Sequence, residues 1–455
     1  MTTPKTKRLF GTDGVRGEAG RFPLDAATME TIGASLATRL SERTGTAPLI
    51  IVGRDTRESG EWLEAALIRG ALANGASCES AGVITTPGVA FLARTLGAHA
   101  GVVISASHNP YQDNGVKVFA PTGRKLDDET ERLIEADIFA AQESGQSQLA
   151  DAVDFESHSD ALHDRYLTFL EKEIGAGLSL SDQAIVVDAA NGAASQLAPE
   201  LFTRLGAHVV AINNHPDGRN INLNCGSLHI EGLQEKVAAT GATLGVAYDG
   251  DADRALFVDA RGTFVDGDAT LWVLAKHLHA RGELNKNLVI ATVMSNIGLE
   301  IALRSRDLQL VRTDVGDKYV LEELLKTGAS LGGEQSGHII FPAISLAGDG
   351  LITTLSLLRA MTEAQKPLAV LTEGFERFPQ ILVNVRVLEK RPFAEVAAIK
   401  ELSDTTEKLL GDKGRLLLRY SGTEPLARVM IEGESQEEIE RYAEDLAAVI
   451  KTELG

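Results

Sequence analysis

Three stretches of the chain repeat the same order of apolar and polar segments. Each opens with a short run rich in Ile and Val, passes through a polar loop and an amphipathic helix, and ends in a second apolar run followed by another polar loop. The opening runs are PLIIVG, QAIVVD and NLVIAT. Continuous apolar runs joined by helices are typical of buried parallel strands with right-handed crossovers. The pattern predicts three related α/β domains of about a hundred residues each, too large for the repeats of a solenoid.

The pattern changes after Glu373. The segments ILVNVRVLE, LLLRYSG and RVMIEGE have the character of strands, with an amphipathic helix after the first and a charged helix at the end of the chain. Strands in this order under two helices predict a smaller, antiparallel α+β domain. A polar stretch, AAQESGQSQLADAVDFESHSDA, predicts a loose connection between the first and second domains. The predicted domains are residues 1–158, 159–258, 259–373 and 374–455.

Length and composition narrow the class of protein. A single hydrophobic core stops growing at about 250–300 residues, so a chain of 455 residues requires several domains. Lys and Arg number 44 against 64 Asp and Glu, and the resulting net charge of −20 argues against general binding of nucleic acid. The cysteines, Cys78 and Cys225, are too few for a disulfide framework or a Cys-rich zinc module.

The sequence also lacks the patterns of membrane targeting. Its basic N-terminal residues are not followed by the apolar stretch of a signal peptide, and no run approaches the roughly 18–20 apolar residues of a membrane span. We therefore expect a cytoplasmic protein with no membrane partner.

A polar loop follows a predicted strand in each α/β unit, and ligands of parallel sheets bind at the carboxyl ends of strands. The first loop contains Ser107 and His108, with Lys117 close behind. A hydroxyl beside an imidazole and near an ammonium suits a nucleophile or a phosphate carrier, although a capped strand-to-helix turn explains these residues equally well. A Ser-His-Asp hydrolase is disfavoured, because no nucleophile elbow surrounds Ser107 and the Gly328–Gly332 match to that motif has its strand and helix in reverse order.

Three carboxylates stand at alternate positions in the second loop, on Asp249, Asp251 and Asp253. In extended backbone such side chains face one way, and the small residues between them allow them to converge. A hard divalent cation would relieve their repulsion, and Mg²⁺ with a phosphate oxygen is the simplest choice. An EF-hand is excluded because Arg254 and Ala260 occupy its sixth and twelfth positions. Apolar strands on both sides disfavour a solvated acidic turn.

Two further loops offer ligand-binding groups. The third loop, GGEQSGH, carries Glu334, Ser336 and His338, which suit a polyhydroxylated ligand or simply form a hairpin turn. In the last domain Arg419 and Arg428 flank a Ser-Gly-Thr turn, which suits a phosphate monoester or a surface cluster of salt bridges. A hydroxyl carrier, a metal site, hydroxyl-binding groups and a phosphate clamp together predict phosphoryl transfer on a small sugar phosphate.

Six motifs run through nearly the whole chain, between residues 10 and 430: FGTDGVRG, SASHNPYQDNGVK, PDGRNINLNCGS, DGDADR, GEQSGH and RYSGTEPLARVM. In this order they resemble the α-D-phosphohexomutase superfamily, and within it the branch that acts on glucosamine phosphates. The resemblance implies a heart-shaped architecture of four domains. Three of these are related α/β domains with mixed sheets, and the fourth is a smaller C-terminal α+β domain.

The resemblance also implies a role for each motif. Ser107 would be the phosphoserine, and Glu334 and Ser336 would contact sugar hydroxyls. The ligands of one Mg²⁺, beside the phosphate on Ser107, would be Asp249, Asp251 and Asp253. The residues that hold the non-reacting phosphate would be Arg419, Ser421, Gly422, Thr423 and Arg428. The reacting centre would be lined by Arg16, His108, Lys117, Arg254 and His338, with Lys117 and His338 as candidates for proton transfer.

The implied reaction has two steps. Phospho-Ser107 gives its phosphoryl group to glucosamine 6-phosphate, forming a bound glucosamine 1,6-bisphosphate, whose other phosphate then returns to Ser107. Glucosamine 1-phosphate is released as a precursor for UDP-N-acetylglucosamine and the cell wall. Gln335 favours the glucosamine branch, since relatives acting on mannose and glucose phosphates commonly carry Met there.

Three alternatives are left open by the sequence. The nearest is a phosphomannomutase/phosphoglucomutase of the same superfamily. The others are a metal-dependent phosphatase with Asp249 as nucleophile and a catalytically silent sugar-phosphate-binding protein. A homodimer is left open as well.

Overall fold

The computed structural model describes residues 8–11, 13–144, 158–421 and 424–455, in which the strands form four sheets. The sheet of domain I has the strand order β1-β2-β6-β5-β3-β4. Its strands are β1 (Phe10–Gly11), β2 (Gly14–Glu18), β3 (Leu49–Arg54), β4 (Ser77–Val83), β5 (Ala100–Ile104) and β6 (Asp113–Phe119). Strand β3 runs parallel to β4 and β5, whereas β6 is antiparallel to β5 and β2. The sheet is therefore mixed, as predicted.

The helices of domain I are α1 (Ala26–Thr44), α2 (Gly60–Ala73), α3 (Thr86–Thr95) and α4 (Asp128–Ser144). Local sequence signals set their ends. The side chain of Asp25 accepts the N–H of Thr28 at the start of α1, and Gly45 ends that helix with φ of 71°. Helices α1, α2 and α4 cover one face of the sheet and bury Leu36 and Leu67 against it.

Domain II has the strand order β11-β10-β9-β7-β8. Its elements are α5 (Ser159–Phe169), β7 (Ala184–Asp188), α6 (Ala194–Arg204), β8 (His208–Ile212), α7 (Glu231–Thr240), β9 (Leu244–Tyr248), β10 (Ala255–Asp259) and β11 (Phe264–Val265). Strand β7 is parallel to β8 and β9, and β10 is antiparallel to both of its neighbours. This repeats the mixed arrangement of domain I.

Domain III has the strand order β13-β12-β14-β15, with β12 parallel to β13 and β14 and with β14 and β15 antiparallel. Its elements are α8 (Gly267–Ala280), β12 (Leu288–Thr292), α9 (Ile297–Arg304), β13 (Gln309–Thr313), α10 (Asp317–Thr327), β14 (Leu331–Gly333), β15 (Ile339–Ile340), α11 (Gly350–Ala364) and α12 (Leu368–Leu371). The prediction of three α/β domains with mixed sheets is confirmed.

Domain IV is an antiparallel sheet of order β16-β18-β17 with two long helices, as predicted. Its elements are β16 (Gln380–Arg386), α13 (Ala397–Leu410), β17 (Arg415–Tyr420), β18 (Leu426–Glu432) and α14 (Gln436–Leu454). A separate apolar cluster, which includes Ile399, Val429 and Leu446, forms its core. Domain IV therefore has an interior of its own.

Domains I, II and III share one large apolar cluster. Phe91 of α3, Tyr166 of α5 and Leu355 of α11 all belong to it. Phe91 and Tyr166 lie with ring centroids 5.5 Å apart. The burial of apolar surface therefore stabilises these three domains jointly.

The predicted loose connection between domains I and II is wrong at its edges. Residues 140–144 belong to α4 and residues 159–161 to α5, because Ala, Glu and Gln continue the helical pattern of α4. The centre of the predicted connection, 145–157, lies outside the described residues. No helix in the described ranges is both long and apolar enough to cross a bilayer.

Candidate active site

The polar loops lie at the carboxyl ends of parallel strands, as predicted. Ser107 follows β5, Asp249 directly follows β9, and Glu334 directly follows β14. Ser107 is buried, and its Oγ donates a hydrogen bond of 2.6 Å to Oδ2 of Asp249. Nδ1 of His108 is 3.3 Å from the same Oγ. The first and second loops therefore meet at the Ser107 hydroxyl.

The carboxylates of Asp249, Asp251 and Asp253 converge, with one oxygen from each within 4.8 Å of the others. Burial, together with the charges of Asp253 and Asp251, raises the pKa of Asp249 well above its ordinary value. Among the described residues, Oδ1 of Asp251 and Oδ1 of Asp253 are buried without a hydrogen-bond partner. Unpartnered carboxylate oxygens packed this closely fit a hard divalent cation.

Lys117 of β6 lies against these carboxylates. Its Nζ is 2.9 Å from Oδ2 of Asp251, 3.5 Å from Oδ2 of Asp253 and 3.4 Å from Oδ2 of Asp13. Burial alone would lower the pKa of Lys117, but the three carboxylates outweigh it and raise that pKa well above the ordinary value. Lys117 is therefore a buried cation that offsets part of the negative charge of these aspartates.

Two further residues, Asp13 and Thr86, contact the cluster formed by Lys117 and the aspartates, although the sequence did not single them out. Asp13 lies in the same FGTDGVRG motif as Arg16 and pairs with both Arg16 and Lys117. Oγ1 of Thr86 donates to Oδ2 of Asp251 at 2.6 Å, across the boundary between domains I and II. Thr86 precedes a proline at the start of α3, a position that indicates only a helix terminus.

Cationic groups surround the Ser107 loop. Nη1 of Arg16 donates to the carbonyl of Ala106 at 3.4 Å, and Nε of Arg254 lies 3.9 Å from Oδ2 of Asp249. Burial, Arg254 and Arg16 lower the pKa of His108 to about 4, so its imidazole is neutral at neutral pH. Two guanidiniums beside one hydroxyl favour an anionic group at that position.

The third loop joins this centre through His338. Its Nδ1 lies 3.6 Å from Oδ1 of Asp253. Burial lowers the pKa of His338, but the Asp253 carboxylate more than compensates, and the pKa is raised to about 9. A backbone hydrogen bond of 3.2 Å from Ala255 N to Gly337 O ties the loop to domain II. His338 thus belongs to the same ionised cluster as Lys117.

Glu334 and Ser336 line the turn between β14 and β15, so the local structure is also the hairpin that the sequence left open. Oε1 of Glu334 accepts the N–H of Gly316 at 3.1 Å. In the described chain, Oγ of Ser336 is buried without a partner and is available to a ligand. Gln335 lies near Asp266, and within the described ranges its Nε2 is buried without a hydrogen-bond partner.

Domain IV brings two guanidiniums side by side. Arg419 of β17 and Arg428 of β18 are register partners across the antiparallel pair. Burial lowers the pKa of Arg419, and the neighbouring charge of Arg428 lowers it further. Nζ of Lys390 donates to the carbonyl of Ser421 at 2.6 Å and adds a third cation. Paired guanidiniums are suited to a phosphate group.

Gly422 and Thr423, also predicted for this clamp, lie outside the described residues. Nη2 of Arg419 lies 3.9 Å from Sδ of Met294, which follows the carboxyl end of β12. The predicted clamp therefore lies beside the carboxyl end of β12 in domain III.

A cavity of about 510 Å³ extends from this inner cluster into the junction of domains I and III. Its inner wall includes Asp13, Lys117, Asp253 and His338. Its volume is within the range of small-molecule sites.

The four domains match the phosphoglucomutase/phosphomannomutase family in order. Residues 7–145, 164–262 and 266–378 match its alpha/beta/alpha domains I, II and III, and residues 382–449 match its C-terminal domain. The chain belongs to this family, and it is a mutase, an enzyme of the isomerase class. The structural predictions of fold class and resemblance are confirmed.

The curated relatives narrow the comparison. The chain is 49% identical to the phosphoglucosamine mutase of Solibacter usitatus, over 99% of each chain. It is 45% identical to that of Koribacter versatilis, over 99% of this chain and 98% of the relative. It is 47% identical to that of Rhodococcus opacus, over 97% of this chain and 99% of the relative.

Solved structures share the fold. A phosphoglucomutase/phosphomannomutase family protein from Burkholderia thailandensis has a TM-score of 0.78 and 26% identity, over 98% of this chain and 97% of its own. A putative phosphomannomutase from Thermus thermophilus has a TM-score of 0.77 and 23% identity, over 97% of this chain and 98% of its own, and shows the fold alone.

Proposed function

We propose that the enzyme interconverts glucosamine 6-phosphate and glucosamine 1-phosphate through a phosphorylated Ser107 and a bound glucosamine 1,6-bisphosphate. The main support is the 2.6 Å hydrogen bond between the Ser107 hydroxyl and Asp249, within a set of three converging carboxylates. The names of the curated relatives support the choice of hexosamine phosphate.

Asp249, Asp251 and Asp253 are the residues that would hold Mg²⁺, with an oxygen of the phosphate on Ser107. Such an ion neutralises phosphate charge and polarises the phosphorus toward attack. Arg16 and Arg254 then stabilise the equatorial oxygens of the transferring group, since both guanidiniums border the Ser107 loop.

Each half-reaction needs a base that takes the proton of the attacking hydroxyl and an acid that protonates the departing oxygen, and Lys117 and His338 are the candidates for these two roles. Both are buried beside the carboxylates. The one that is protonated gives its proton to the departing oxygen of Ser107, and the one that acts as base must be deprotonated before it accepts the proton of the sugar hydroxyl. His338, with a pKa of about 9, titrates closer to neutrality. Neutral His108 is next to Ser107 but lacks the proton that an acid needs.

The remaining groups bind substrate. Glu334 and Ser336 would accept and donate hydrogen bonds to sugar hydroxyls, while Arg419, Ser421 and Arg428 would hold the phosphate that does not react. A clamp that recognises phosphate alone can hold either end of the bisphosphate, as the two half-reactions require. Gly422 and Thr423 stay predicted members of this clamp, and the four domain boundaries also stay predictions. We further predict that the enzyme is cytoplasmic and that its product supplies UDP-N-acetylglucosamine synthesis. A homodimer is left open.

The test compares turnover of glucosamine, mannose and glucose 6-phosphates by ³¹P NMR, with a trace of the matching 1,6-bisphosphate. We expect kcat/KM for glucosamine 6-phosphate to exceed the other two by at least about 10-fold, the discrimination that one well-placed polar contact supplies. Intact-protein mass spectrometry should show one phosphate on Ser107 that glucosamine phosphates discharge. Chelation should remove activity, and Mg²⁺ should restore it.

Two results would count against the proposal. Faster turnover of mannose or glucose phosphate would make the enzyme a phosphomannomutase/phosphoglucomutase. Release of inorganic phosphate without isomerised product, through a base-labile acyl phosphate, would identify Asp249 as a phosphatase nucleophile.

A further inference from the structure

The loop that presents Ser107 has an unfavourable backbone. Ser107 has φ of 52°, in the left-handed region that residues with a side chain rarely adopt. Such a conformation persists only where surrounding contacts impose it. Ser107 N donates to Oγ of Ser105 at 2.9 Å, which fixes one side of the peptide. The carbonyl side needs its own partners.

Arg57 supplies the first of these partners from within domain I. It is 1% exposed, and its Nη2 donates to Ser107 O at 3.0 Å and to Asn109 O at 2.9 Å. Its Nη1 donates to Pro110 O at 2.5 Å, while its Nε binds Oδ2 of Asp55 at 2.9 Å. A single buried guanidinium therefore binds three carbonyls of the loop, those of Ser107, Asn109 and Pro110.

Asn222 supplies the second partner from domain II. Its Nδ2 donates to Ser107 O at 2.9 Å and to Asn109 O at 3.1 Å, the same two carbonyls that Arg57 binds. Asn222 is itself left-handed, with φ of 59°, and its N–H donates to Ala190 O at 2.9 Å. The backbone of Asn222 is thereby fixed by a contact within domain II.

The metal loop approaches this carbonyl as well. A Cβ at Gly250 would lie only 2.5 Å from Ser107 O, so a side chain there would collide with the Ser107 backbone. Gly250 stands between two of the metal-ligand carboxylates. Domain II therefore approaches the Ser107 carbonyl at two points, through the Asn222 amide donor and through the backbone of Gly250.

We infer that Arg57 and Asn222 are positioning residues, a two-domain clamp that aims the Ser107 side chain at the carboxylates of Asp249, Asp251 and Asp253. Fixing the carbonyl plane fixes the direction of the Cα–Cβ bond, and hence the line along which the phosphoryl group moves. The kinetic consequence rests on the proposed function, but neither residue touches the reacting atoms. Because Asn222 and the metal loop belong to one domain, the clamp also keeps hydroxyl and metal site in register.

The most selective variant is Asn222→Asp. It preserves the size of the side chain and the tolerance for a left-handed backbone, but it replaces the NH₂ donor with an oxygen that repels both carbonyls. Asn224→Asp is the matched control. Asn224 lies two residues further along the same loop, has φ of 52°, and is exposed.

We expect Asn222→Asp to lower kcat by at least about 10-fold and to change KM by less than about 3-fold, since misalignment affects the transition state more than binding. Asn224→Asp should leave both parameters within about 2-fold, as an exposed substitution does. Arg57→Lys, which keeps the charge but loses the fork, should resemble Asn222→Asp. Asn222→Gly, which adopts the left-handed backbone freely, serves if the Asp variant fails to fold.

A second readout does not depend on turnover. Hydrogen–deuterium exchange of the peptide around residues 105–114 should be faster in Asn222→Asp and Arg57→Lys than in wild type, and unchanged in Asn224→Asp. If wild type has no mutase activity but the variants show these differences in exchange, the proposed function is wrong and the two-domain clamp is still supported. Folded Asn222 variants that match Asn224→Asp in both kcat and exchange would overturn the clamp.

Discussion

The Ser107 and Asp249 side chains meet although they are 142 residues apart in the chain. Their chemical types were predictable, because a hydroxyl beside His and three alternating carboxylates are unusual next to apolar strands. Asp13, Thr86 and Arg57 were not predictable in the same way. Each is a single polar residue in an ordinary turn or helix start, and its importance comes from partners far away in sequence. Sequence patterns therefore reveal clusters of functional residues, but not single residues that join a site only through tertiary contacts.

At this scale the decisive variant is Ser107→Ala. We expect mutase turnover to fall by about 10³-fold or more, because the proposed phosphoryl acceptor is removed. Stability should change by no more than about 1 kcal/mol, the net contribution of one hydrogen bond. The measurements are turnover with glucosamine 6-phosphate, intact mass and urea denaturation. Ser181→Ala, at an exposed position, is the control for handling and expression.

Retained turnover in Ser107→Ala would mean that another group carries the phosphoryl group. A mass increase of one phosphate in that variant would point to the same conclusion, and its position could then be mapped by peptide analysis.

At the scale of elements, the predictions succeeded where a strand ends in a polar loop. The apolar runs locate β5, β9 and β14, and the rule for carboxyl ends then brings their loops together. The sequence was less informative about what packs on those strands. The α11 helix begins at Asp349, whose carboxylate accepts Leu351 N at 2.9 Å and Ile352 N at 3.0 Å. In the sequence Asp349 has only the features of an ordinary helix cap, but in the structure it is buried at the junction of domains II and III.

Asp349 makes stability depend on pH. Burial raises its pKa from 3.8 to about 6, against the lowering effect of the hydrogen bond that the Tyr166 hydroxyl donates at 2.7 Å. A raised carboxyl pKa means that the folded state favours the protonated form. Its contribution to stability is complete below the unfolded pKa and is lost as pH rises through about 6. Tyr166 belongs to domain II, so this titration acts at a domain junction.

We expect Asp349→Asn, which does not titrate, to gain stability relative to wild type by about 1 kcal/mol between about pH 5 and pH 7.5. The measurement is urea denaturation at both pH values. Asp25→Asn controls for the change of a helix cap, since Asp25 caps α1 in the same way but is only half-buried. A constant difference between Asp349→Asn and wild type across that range would contradict the assignment.

At the scale of the molecule, the hydrophobic cores do not correspond one to one with the repeats in the sequence. Three repeats suggest three separate interiors, yet Phe91, Tyr166 and Leu355 belong to one apolar cluster that runs through domains I, II and III. Sequence could not reveal this, because a buried Leu has the same pattern whether it packs within its own unit or against the next. Domain IV, by contrast, was predictable as a distinct unit, since its strand order and helices differ.

Arg415 connects domain IV to domain III. Its Nη2 donates to Val293 O at 2.9 Å and Ser295 O at 3.1 Å, and it pairs with the fully buried Glu432 at 2.8 Å. Arg419 lies four residues along the same strand and therefore on the same face. The junction thereby sets the position of the phosphate clamp relative to domain III.

We expect Arg415→Met to weaken this junction by about 3–5 kcal/mol, because Glu432 is left buried without its cation. KM for the sugar phosphate should rise by about 10-fold while kcat changes less, since the predicted clamp contributes equally to binding in the ground state and in the transition state. Cleavage in limited proteolysis should begin at residues 373–379, ahead of β16. Lys413→Ala, which breaks an exposed pair with Glu434, is the control. An unchanged KM would show that the domain IV clamp does not depend on this contact.

The contacts of Lys117 also bear on the stability of the protein when no cation occupies the proposed metal site. An ammonium 2.9 Å from Asp251 and 3.5 Å from Asp253 already offsets part of the charge that would otherwise drive the aspartates apart. Lys117 therefore supplies part of the positive charge that a cation would bring to the proposed metal site. If Mg²⁺ occupies the proposed site, its removal should abolish activity well before the protein unfolds, and its return should restore activity.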